Sequence, residues 1–190
     1  MNRSFLLLAA FALLPAVAAA QQPTEADRVS PFAATPDTVV TAMLKMAAVT
    51  SRDLVVDLGS GDGRLVIAAA KEFGARGLGV DIDAKLVNYA QRKAVEAGVA
   101  ERAQFELRDL FKTDLSSADV VTIYLLPTIM DRVAAKLAAE LKPGARVVTH
   151  DYQLPGWRIE RVHTMDAPEK DDVTSKRIAE LFLYVVPARR

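Results

Sequence analysis

Short apolar runs alternate with amphipathic stretches along most of this chain. The apolar runs have the length and β-branched content of buried strands, and the stretches between them carry apolar residues at helical spacing. The predicted strands are residues 54–58, 77–81, 103–108, 120–124 and 145–149, and the predicted helices are 36–47, 65–73, 84–97 and 128–141. Strands that alternate with helices in this way predict a mostly parallel sheet with helices on both faces.

The start of the first helix and the last two strands complete this pattern. Thr35 is expected to cap the first helix and Pro36 to occupy its first position. Residues 157–164 and 178–186 form two late strands with no helical pattern between them, which predicts an antiparallel hairpin at one edge of the sheet. The charged stretch 166–176 is predicted to be a loop.

The N-terminal segment has the three parts of a secretory signal peptide. Arg3 supplies a positive charge, residues 5–14 are an uncharged apolar run, and the alanines at 18–20 supply a cleavage pattern. We expect residues 1–20 to be a signal peptide and the protein to be exported, to the periplasm in a bacterium. The alternative is an uncleaved anchor that holds the protein on a membrane, facing the cytosol, although the apolar run is shorter than the ~20 residues of a membrane span. Residues 21–30 are then a linker, and residues 31–190 form the folded domain.

Composition narrows the possible chemistry. Of the 190 residues, 24 are basic and 24 are acidic, so the chain has no bulk charge that would attract nucleic acid or an anionic membrane. It has no cysteine, which excludes disulfides, thiolate metal sites and cysteine nucleophiles. Its two histidines are His150 and His163, so a multi-histidine metal site is not expected.

A glycine-rich loop joins the first predicted strand to the helix that follows it. This glycine loop, residues 57–63, reads Asp-Leu-Gly-Ser-Gly-Asp-Gly. Gly59 and Gly61 let the backbone approach a ligand closely, and the loop leads into a helix N-terminus with free N–H groups. Asp57, at the mouth of the loop, argues against a phosphate and favours a ligand that carries an ammonium group and hydroxyls. Open α/β sheets bind their ligands at this edge.

The spacing of the glycines excludes two nucleotide-binding motifs, and two further acids suggest a different ligand. A dinucleotide fingerprint requires a third glycine at position 64, where the chain has Arg64, and the loop does not end in the lysine and hydroxyl pair of a P-loop. Asp81 ends the second strand, where a carboxylate accepts hydrogen bonds from both ribose hydroxyls. Asp109 follows the third strand, where it could accept an adenine amino group. Together these acids describe a nucleoside that carries an amino acid.

Taken in this order, the motifs resemble those of the class I S-adenosylmethionine-dependent methyltransferases. The matching segments are residues 57–63, 79–81, 108–110 and 141–145. The resemblance implies a Rossmann-like α/β fold with a seven-stranded, mostly parallel sheet whose last strand is antiparallel. It also implies S-adenosyl-L-methionine as the cofactor. The residues that the resemblance assigns to cofactor binding are Asp57, Gly59 and Gly61 at the methionine moiety, Asp81 at the ribose and Asp109 at the adenine.

A narrower set of motifs resembles the protein-lysine methyltransferases related to the mitochondrial ATP-synthase c-subunit enzyme. The matching segments are residues 57–64 and 124–127 with the pair at 35–36, and the resemblance covers residues 31–157. It implies methyl transfer to a lysine side chain of a protein partner. Members of that family carry a membrane segment near the N-terminus, which is compatible with membrane association through the N-terminal segment of this chain.

Tyr124 and His150 are the predicted catalytic residues. Tyr124 ends one predicted strand and His150 directly follows another, at the edge where the transferred methyl group is expected. Tyr124 is the first candidate for orienting the acceptor amine and His150 the second, and either side chain could help to accept the amine's proton. The alternatives are a half-buried aromatic at a strand end for Tyr124 and a structural, hydrogen-bonded histidine for His150. This chemistry requires no metal.

The acidic residues also have purely structural alternatives. Asp57 alternatively braces the glycine loop, and Asp109 alternatively caps a short turn. Asp62 is expected to be a solvated turn residue and Asp83 a helix N-cap. Arg64 is either a surface residue or a partner of Asp62 or a neighbouring acid.

Two other functions remain open from the sequence. The export signal favours a module that binds S-adenosylmethionine or a related nucleoside without turnover, because that metabolite is cytosolic. A nicotinamide-dependent oxidoreductase is the third hypothesis, and Arg64 in place of the third glycine disfavours it.

Overall fold

The computed structural model describes residues 34–170 and 177–188, which form one seven-stranded sheet and four α-helices. The strands are β1 Leu54–Leu58, β2 Arg76–Asp81, β3 Ala103–Leu107, β4 Val120–Ile123, β5 Arg146–His150, β6 Arg161–Asp166 and β7 Ile178–Val185. The helices are α1 Asp37–Met46, α2 Arg64–Phe73, α3 Ala84–Glu96 and α4 Met130–Glu140.

The strand order is β3-β2-β1-β4-β5-β7-β6, and β7 runs antiparallel to both of its neighbours. This confirms the expected fold, including the late antiparallel hairpin of β6 and β7. The chain order reverses between β1 and β4, which are adjacent parallel strands. Such a switch point opens a crevice at the carboxyl ends of the strands, and the glycine loop begins there.

Alternate residues of the central strands pack on opposite faces of the sheet. Val55 packs with α1 and α2 on one face, and Val56 packs with α4 on the other. The side chains of a strand alternate between its two faces, so two apolar layers require strands that are apolar at nearly every position. β1 is accordingly buried from Val55 to Leu58, and Asp57 is its one buried carboxylate.

The prediction for the start of α1 is wrong. The helix begins at Asp37, Pro36 occupies the N-cap position, and no side chain caps the helix. Thr35 is buried, and its carbonyl accepts a hydrogen bond of 2.7 Å from Arg64. A tertiary contact that the sequence does not reveal therefore sets the start of this helix.

Other element boundaries also differ from the sequence prediction. β6 begins at Arg161 rather than at 157, and Trp157 instead packs edge-on against Tyr184 with ring centroids 6.1 Å apart. A 3-10 turn at Pro127–Ile129 precedes α4. Another 3-10 turn, Pro168–Lys170, lies within the stretch predicted as a loop.

The predicted signal peptide or anchor (1–20) and linker (21–30) lie outside the described residues, and so do the first residues of the predicted domain. None of the helices in the described part of the chain combines the length and the apolar character needed to span a membrane.

Candidate functional site

The structure places the predicted site residues at one edge of the sheet. Asp57 and Asp81 lie at the carboxyl ends of the neighbouring strands β1 and β2. Tyr124 directly follows β4, and His150 is the last residue of β5, the neighbour of β4. Because these strands are parallel, their carboxyl ends share one edge, and the four side chains surround the switch point between β1 and β4.

Two glycines of the glycine loop have conformations and surroundings that exclude a side chain. Gly59 has φ of +78°, and a Cβ atom there would lie 2.9 Å from Leu125 Cδ2. Gly63 has φ of +81°, and its Cβ would lie 2.7 Å from the Ala90 Cβ and 2.6 Å from the Phe105 ring. The loop is therefore packed closely against Leu125, Ala90 and Phe105 and has no room for a side chain at these two positions.

Asp57 is a buried carboxyl group with one strong local partner. Its Oδ1 accepts a hydrogen bond of 2.7 Å from the Thr122 hydroxyl, which lies directly opposite on β4. Burial raises the pKa of Asp57 to about 7, the Thr122 bond opposes the rise, and the charges of Asp81 and Asp62 add to it. A cation beside this carboxyl would favour its ionised form, so the position favours a positively charged ligand group.

Asp81 connects β2 to the glycine loop. Its Oδ2 accepts a hydrogen bond of 2.9 Å from the Gly61 N–H, and its Oδ1 accepts one of 2.9 Å from the Asp83 N–H. The side chain is only half-buried, and a carboxylate has about four acceptor positions. Asp81 therefore retains acceptor capacity for ligand hydroxyls while it holds the loop.

The prediction that Asp62 is solvated is wrong. Of the two alternatives for Arg64, the structure shows the ion pair with Asp62. Asp62 is buried, and the Arg64 guanidinium donates to both of its oxygens, with Nε 2.9 Å from Oδ1 and Nη2 2.6 Å from Oδ2. Burial alone would raise the pKa of Asp62, but the hydrogen bonds and charge of Arg64 lower it below the usual value. The positive charge of Arg64 thus compensates Asp62, while Asp57 has no such cationic partner among the described residues.

Asp109 and Asp83 both cap helices. Asp109 Oδ1 accepts a hydrogen bond of 2.8 Å from the Phe111 N–H at the start of a 3-10 turn. Asp83 caps α3 by accepting from the Lys85 N–H, which confirms that prediction. The adenine role of Asp109 stays a prediction, as do the ligand roles of Asp57, Gly59, Gly61 and Asp81.

Tyr124 and His150 form a stacked pair. Their ring centroids are 4.0 Å apart and their planes differ by 29°. The His150 side chain is fully buried, whereas Tyr124 is half-buried. Burial raises the pKa of Tyr124 to about 12, with contributions from Asp151 and Tyr152, so its phenol is neutral at physiological pH. Their catalytic roles stay predictions, with Tyr124 as the more accessible of the two.

Sequence reasoning missed three polar residues of this edge. Thr122 is a polar residue within an otherwise apolar, fully buried strand, and this contrast was the available signal. Ser60 is buried, and its hydroxyl oxygen has no hydrogen-bond partner among the described residues. Lys170 is buried and ion-paired to Asp151, yet nothing in its charged sequence context distinguishes it from a loop lysine.

Comparisons with known proteins agree on one family. Residues 57–161 match the model of the ANTKMT methyltransferase domain. A protein-lysine N-methyltransferase of Saccharolobus islandicus is 41% identical over 133 residues, which are 70% of this chain and 83% of that protein. The ATP-synthase c-subunit lysine N-methyltransferase of Mus musculus is 36% identical over 139 residues, which are 73% of this chain but only 51% of the mouse protein.

A solved structure is also similar. It is an RNA methyltransferase from Salinibacter ruber in complex with S-adenosyl-L-homocysteine, with a TM-score of 0.74 and 40% identity. The match covers 83% of this chain and 96% of that one. The likeness therefore extends over nearly all of that chain.

Proposed function

Because the chain belongs to the ANTKMT methyltransferase domain family and uses S-adenosylmethionine, we propose that it transfers a methyl group to a lysine side chain of a protein. The family supports methyl transfer over the binding module and the oxidoreductase that the sequence left open. The lysine N-methyltransferases among its relatives favour lysine as the acceptor.

The residues at the switch point fit this cofactor. Burial raises the pKa of Asp57 to about 7, and the cofactor's ammonium group would supply a cation that favours its ionised form. Asp81 has acceptor capacity left for ribose hydroxyls, and the buried Ser60 hydroxyl has no partner among the described residues. A phosphate would fit poorly beside these carboxylates, since like charges repel.

When bound, the cofactor supplies an electrophilic methyl group on a sulfonium. The chain's own contribution is to place the acceptor amine in line with that group, because placement accounts for much of the barrier in such displacements. Asp57 and Asp81 would hold the donor at the ends of β1 and β2. Tyr124, at the end of β4, would lie beside the acceptor.

Tyr124 is suited to orienting an amine rather than to deprotonating it by itself. With a pKa of about 12 its phenol is neutral, so its oxygen can accept a hydrogen bond from a lysine amine. The apolar side chains that follow it, Leu125 and Leu126, can desolvate the amine, and desolvation lowers the pKa of a lysine and favours its neutral, nucleophilic form.

RNA is the second candidate acceptor, because the similar Salinibacter ruber structure is named an RNA methyltransferase. RNA-binding domains are usually basic, whereas this chain has equal numbers of basic and acidic residues. The charge balance therefore favours a protein acceptor.

A labelling experiment separates these acceptors. The purified protein is incubated with tritiated S-adenosylmethionine and with either total protein or total RNA from the source cells, and Asp81→Ala serves as the matched inactive control. We expect label in the protein fraction that protease releases and that chromatography of the hydrolysate identifies as Nε-methylated lysine. Ribonuclease-sensitive label would assign RNA instead, and cofactor binding without any transfer would contradict the enzymatic function.

A further inference from the structure

The buried His150 ring is not held in place by hydrogen bonds with the described residues. Neither Nδ1 nor Nε2 has a hydrogen-bond partner among the described residues. Burial lowers the pKa of His150 to about 4, although Asp151 opposes the shift, and Lys170 adds to it. A neutral imidazole has one donor and one acceptor nitrogen, and here neither forms a hydrogen bond with a described residue. Contacts other than hydrogen bonds must therefore determine the position of this ring.

Asp151 fixes the turn that directly follows His150. Its φ of +64° is left-handed, a conformation that residues with a side chain rarely adopt. Two hydrogen bonds to β7 hold it there: the Asp151 N–H donates to the Glu180 carbonyl at 2.7 Å, and the Glu180 N–H donates to Asp151 Oδ1 at 3.2 Å. The turn is therefore maintained by contacts from outside the strand.

Lys170 supplies a third contact to this turn. Its side chain is 2% exposed, and its ammonium donates to Asp151 Oδ2 and, at 2.8 Å, to the Ile178 carbonyl. Lysine is rarely buried to this extent unless it is paired. The ion pair thus connects the end of β5 with the start of β7 and with the 3-10 turn that follows β6.

We propose that Lys170 and Asp151 are a positioning pair that holds the His150 ring against Tyr124 at the acceptor side of the site. His150 Nε2 lies 3.5 Å from Asp151 Oδ1, and the face of the ring stacks on Tyr124. Without the ion pair, the Asp151 carboxylate beside the ring would lose its cationic partner, and the histidine would shift beneath Tyr124. The proposal rests on the proposed lysine methyl transfer, because its consequence is the misorientation of the residue that faces the amine.

Histidine NMR tests the positioning directly. The chain has two histidines, and His163 on β6 is exposed and serves as the internal reference. In the wild-type protein we expect the ring current of Tyr124 to shift the carbon-bound ring protons of His150 upfield. Lys170→Met and Asp151→Asn should move these resonances toward those of His163. Lys170→Arg should restore the wild-type shift, because arginine preserves the charge.

A matched variant separates positioning from stability. Arg146 begins the same strand and forms an ion pair with Asp53 at the opposite edge of the sheet. Arg146→Met should lower the thermal midpoint of unfolding and leave the His150 resonances unchanged. Unchanged His150 resonances in Lys170→Met, or an equal movement in Arg146→Met, would overturn the proposal. If Lys170→Met does not fold, Asp151→Asn gives the same test, because it removes the charge that pairs with Lys170 and keeps the size of the side chain.

Kinetics complete the test once an acceptor protein is labelled. We expect kcat of Lys170→Met to fall about tenfold to a hundredfold, the size of effect that a misplaced reacting group produces. The Kd for S-adenosylhomocysteine should stay within about twofold of the wild-type value, because the cofactor side of the site is intact. The NMR measurement needs no acceptor, so an absent methylation activity with the expected NMR shifts would contradict the proposed function and not the positioning pair.

Discussion

A single buried carboxyl group, Asp57, determines much of the electrostatic character of the site. Its pKa is raised to about 7, mainly by burial. In the ligand-free protein the raised pKa means that the folded state binds a proton more tightly than the unfolded state. Its contribution to stability is therefore full below the unfolded pKa of about 4 and is lost as the pH rises through 7.

This shift predicts how cofactor affinity depends on pH. An ammonium group of the cofactor favours the ionised form of Asp57, so the affinity for S-adenosylhomocysteine should rise as the pH increases from 6 to 8. Asp57→Asn should weaken binding at pH 8 by about tenfold to a hundredfold, the value of one charged hydrogen bond. In the Asp57→Asn variant, the affinity for S-adenosylhomocysteine should no longer rise with pH through the titration of Asp57. Isothermal titration calorimetry at each pH measures this affinity.

Thr122→Val is the matched control for the Asp57 prediction. It removes the hydrogen bond that favours the ionised carboxylate and keeps the shape of the side chain. The midpoint of the pH profile should then move above its wild-type value. If the affinity of wild type and of Asp57→Asn depended on pH in the same way, a group other than Asp57 would be responsible, which would contradict the prediction.

Candidate site residues could be predicted from the sequence when their position at the end of a strand was enough to identify them. Asp57 and Asp81 stand at the ends of apolar runs, and the ends of parallel strands share one edge of a sheet. The Asp57–Thr122 bond depends on the register of two strands whose residues are 65 positions apart. The solvated Asp62 was predicted wrongly, because turn propensity does not include the guanidinium that folds back onto it.

Among the elements, α1, α2 and the glycine loop are joined by one side chain. Arg64 donates to both oxygens of Asp62 in the loop and to the Thr35 carbonyl before α1. The Asp62 side chain is 10% exposed and that of Arg64 28%, so the pair is partly screened by solvent. The pair therefore connects the position of the first helix to the shape of the loop.

Removal of Arg64 should destabilise the protein by leaving a buried charge unpaired. We expect Arg64→Met to lower the free energy of unfolding by about 1–3 kcal/mol, less than for a fully buried pair because solvent reaches the guanidinium. The double variant Arg64→Met/Asp62→Asn should recover part of this loss, since no unpaired carboxylate remains. Urea denaturation measures the wild type, Arg64→Met, Asp62→Asn and the double variant.

Asp37 offers a control on the same arginine. It lies 3.5 Å from the Arg64 guanidinium, but its side chain is 91% exposed. Asp37→Asn should therefore change the free energy of unfolding by less than about 1 kcal/mol. If the losses of unfolding free energy in Arg64→Met and Asp62→Asn simply add in the double variant, the two side chains are not energetically coupled and the prediction is contradicted.

The elements themselves were largely predictable, and their ends were less so. Apolar runs with β-branched residues located five strands to within a residue or so, because buried parallel strands need such runs. The start of α1 and of β6 depends instead on tertiary contacts, through the Thr35 carbonyl and the packing of Trp157. Local capping rules do not contain that information.

For the whole molecule, one topological feature brings the candidate site residues together. The sheet order changes direction between β1 and β4, and the glycine loop, the two strand-end acids and Tyr124 all lie at that point. The alternation of elements was enough to predict the sheet, and the order of the motifs was enough to suggest the family. Export or anchoring through residues 1–20 stays a prediction, because it concerns a segment outside the described residues.

Calorimetric titration with S-adenosylmethionine tests the central claim most directly, namely that the switch point is a binding site for a cationic nucleoside. The wild-type protein should bind one equivalent, and Asp81→Ala should weaken binding by about tenfold to a hundredfold, the value of a charged hydrogen bond. Glu101→Gln, an exposed acid beside the amino end of β3, should bind like the wild type. No heat of binding in the wild-type protein, or equal affinity in Asp81→Ala, would contradict the account.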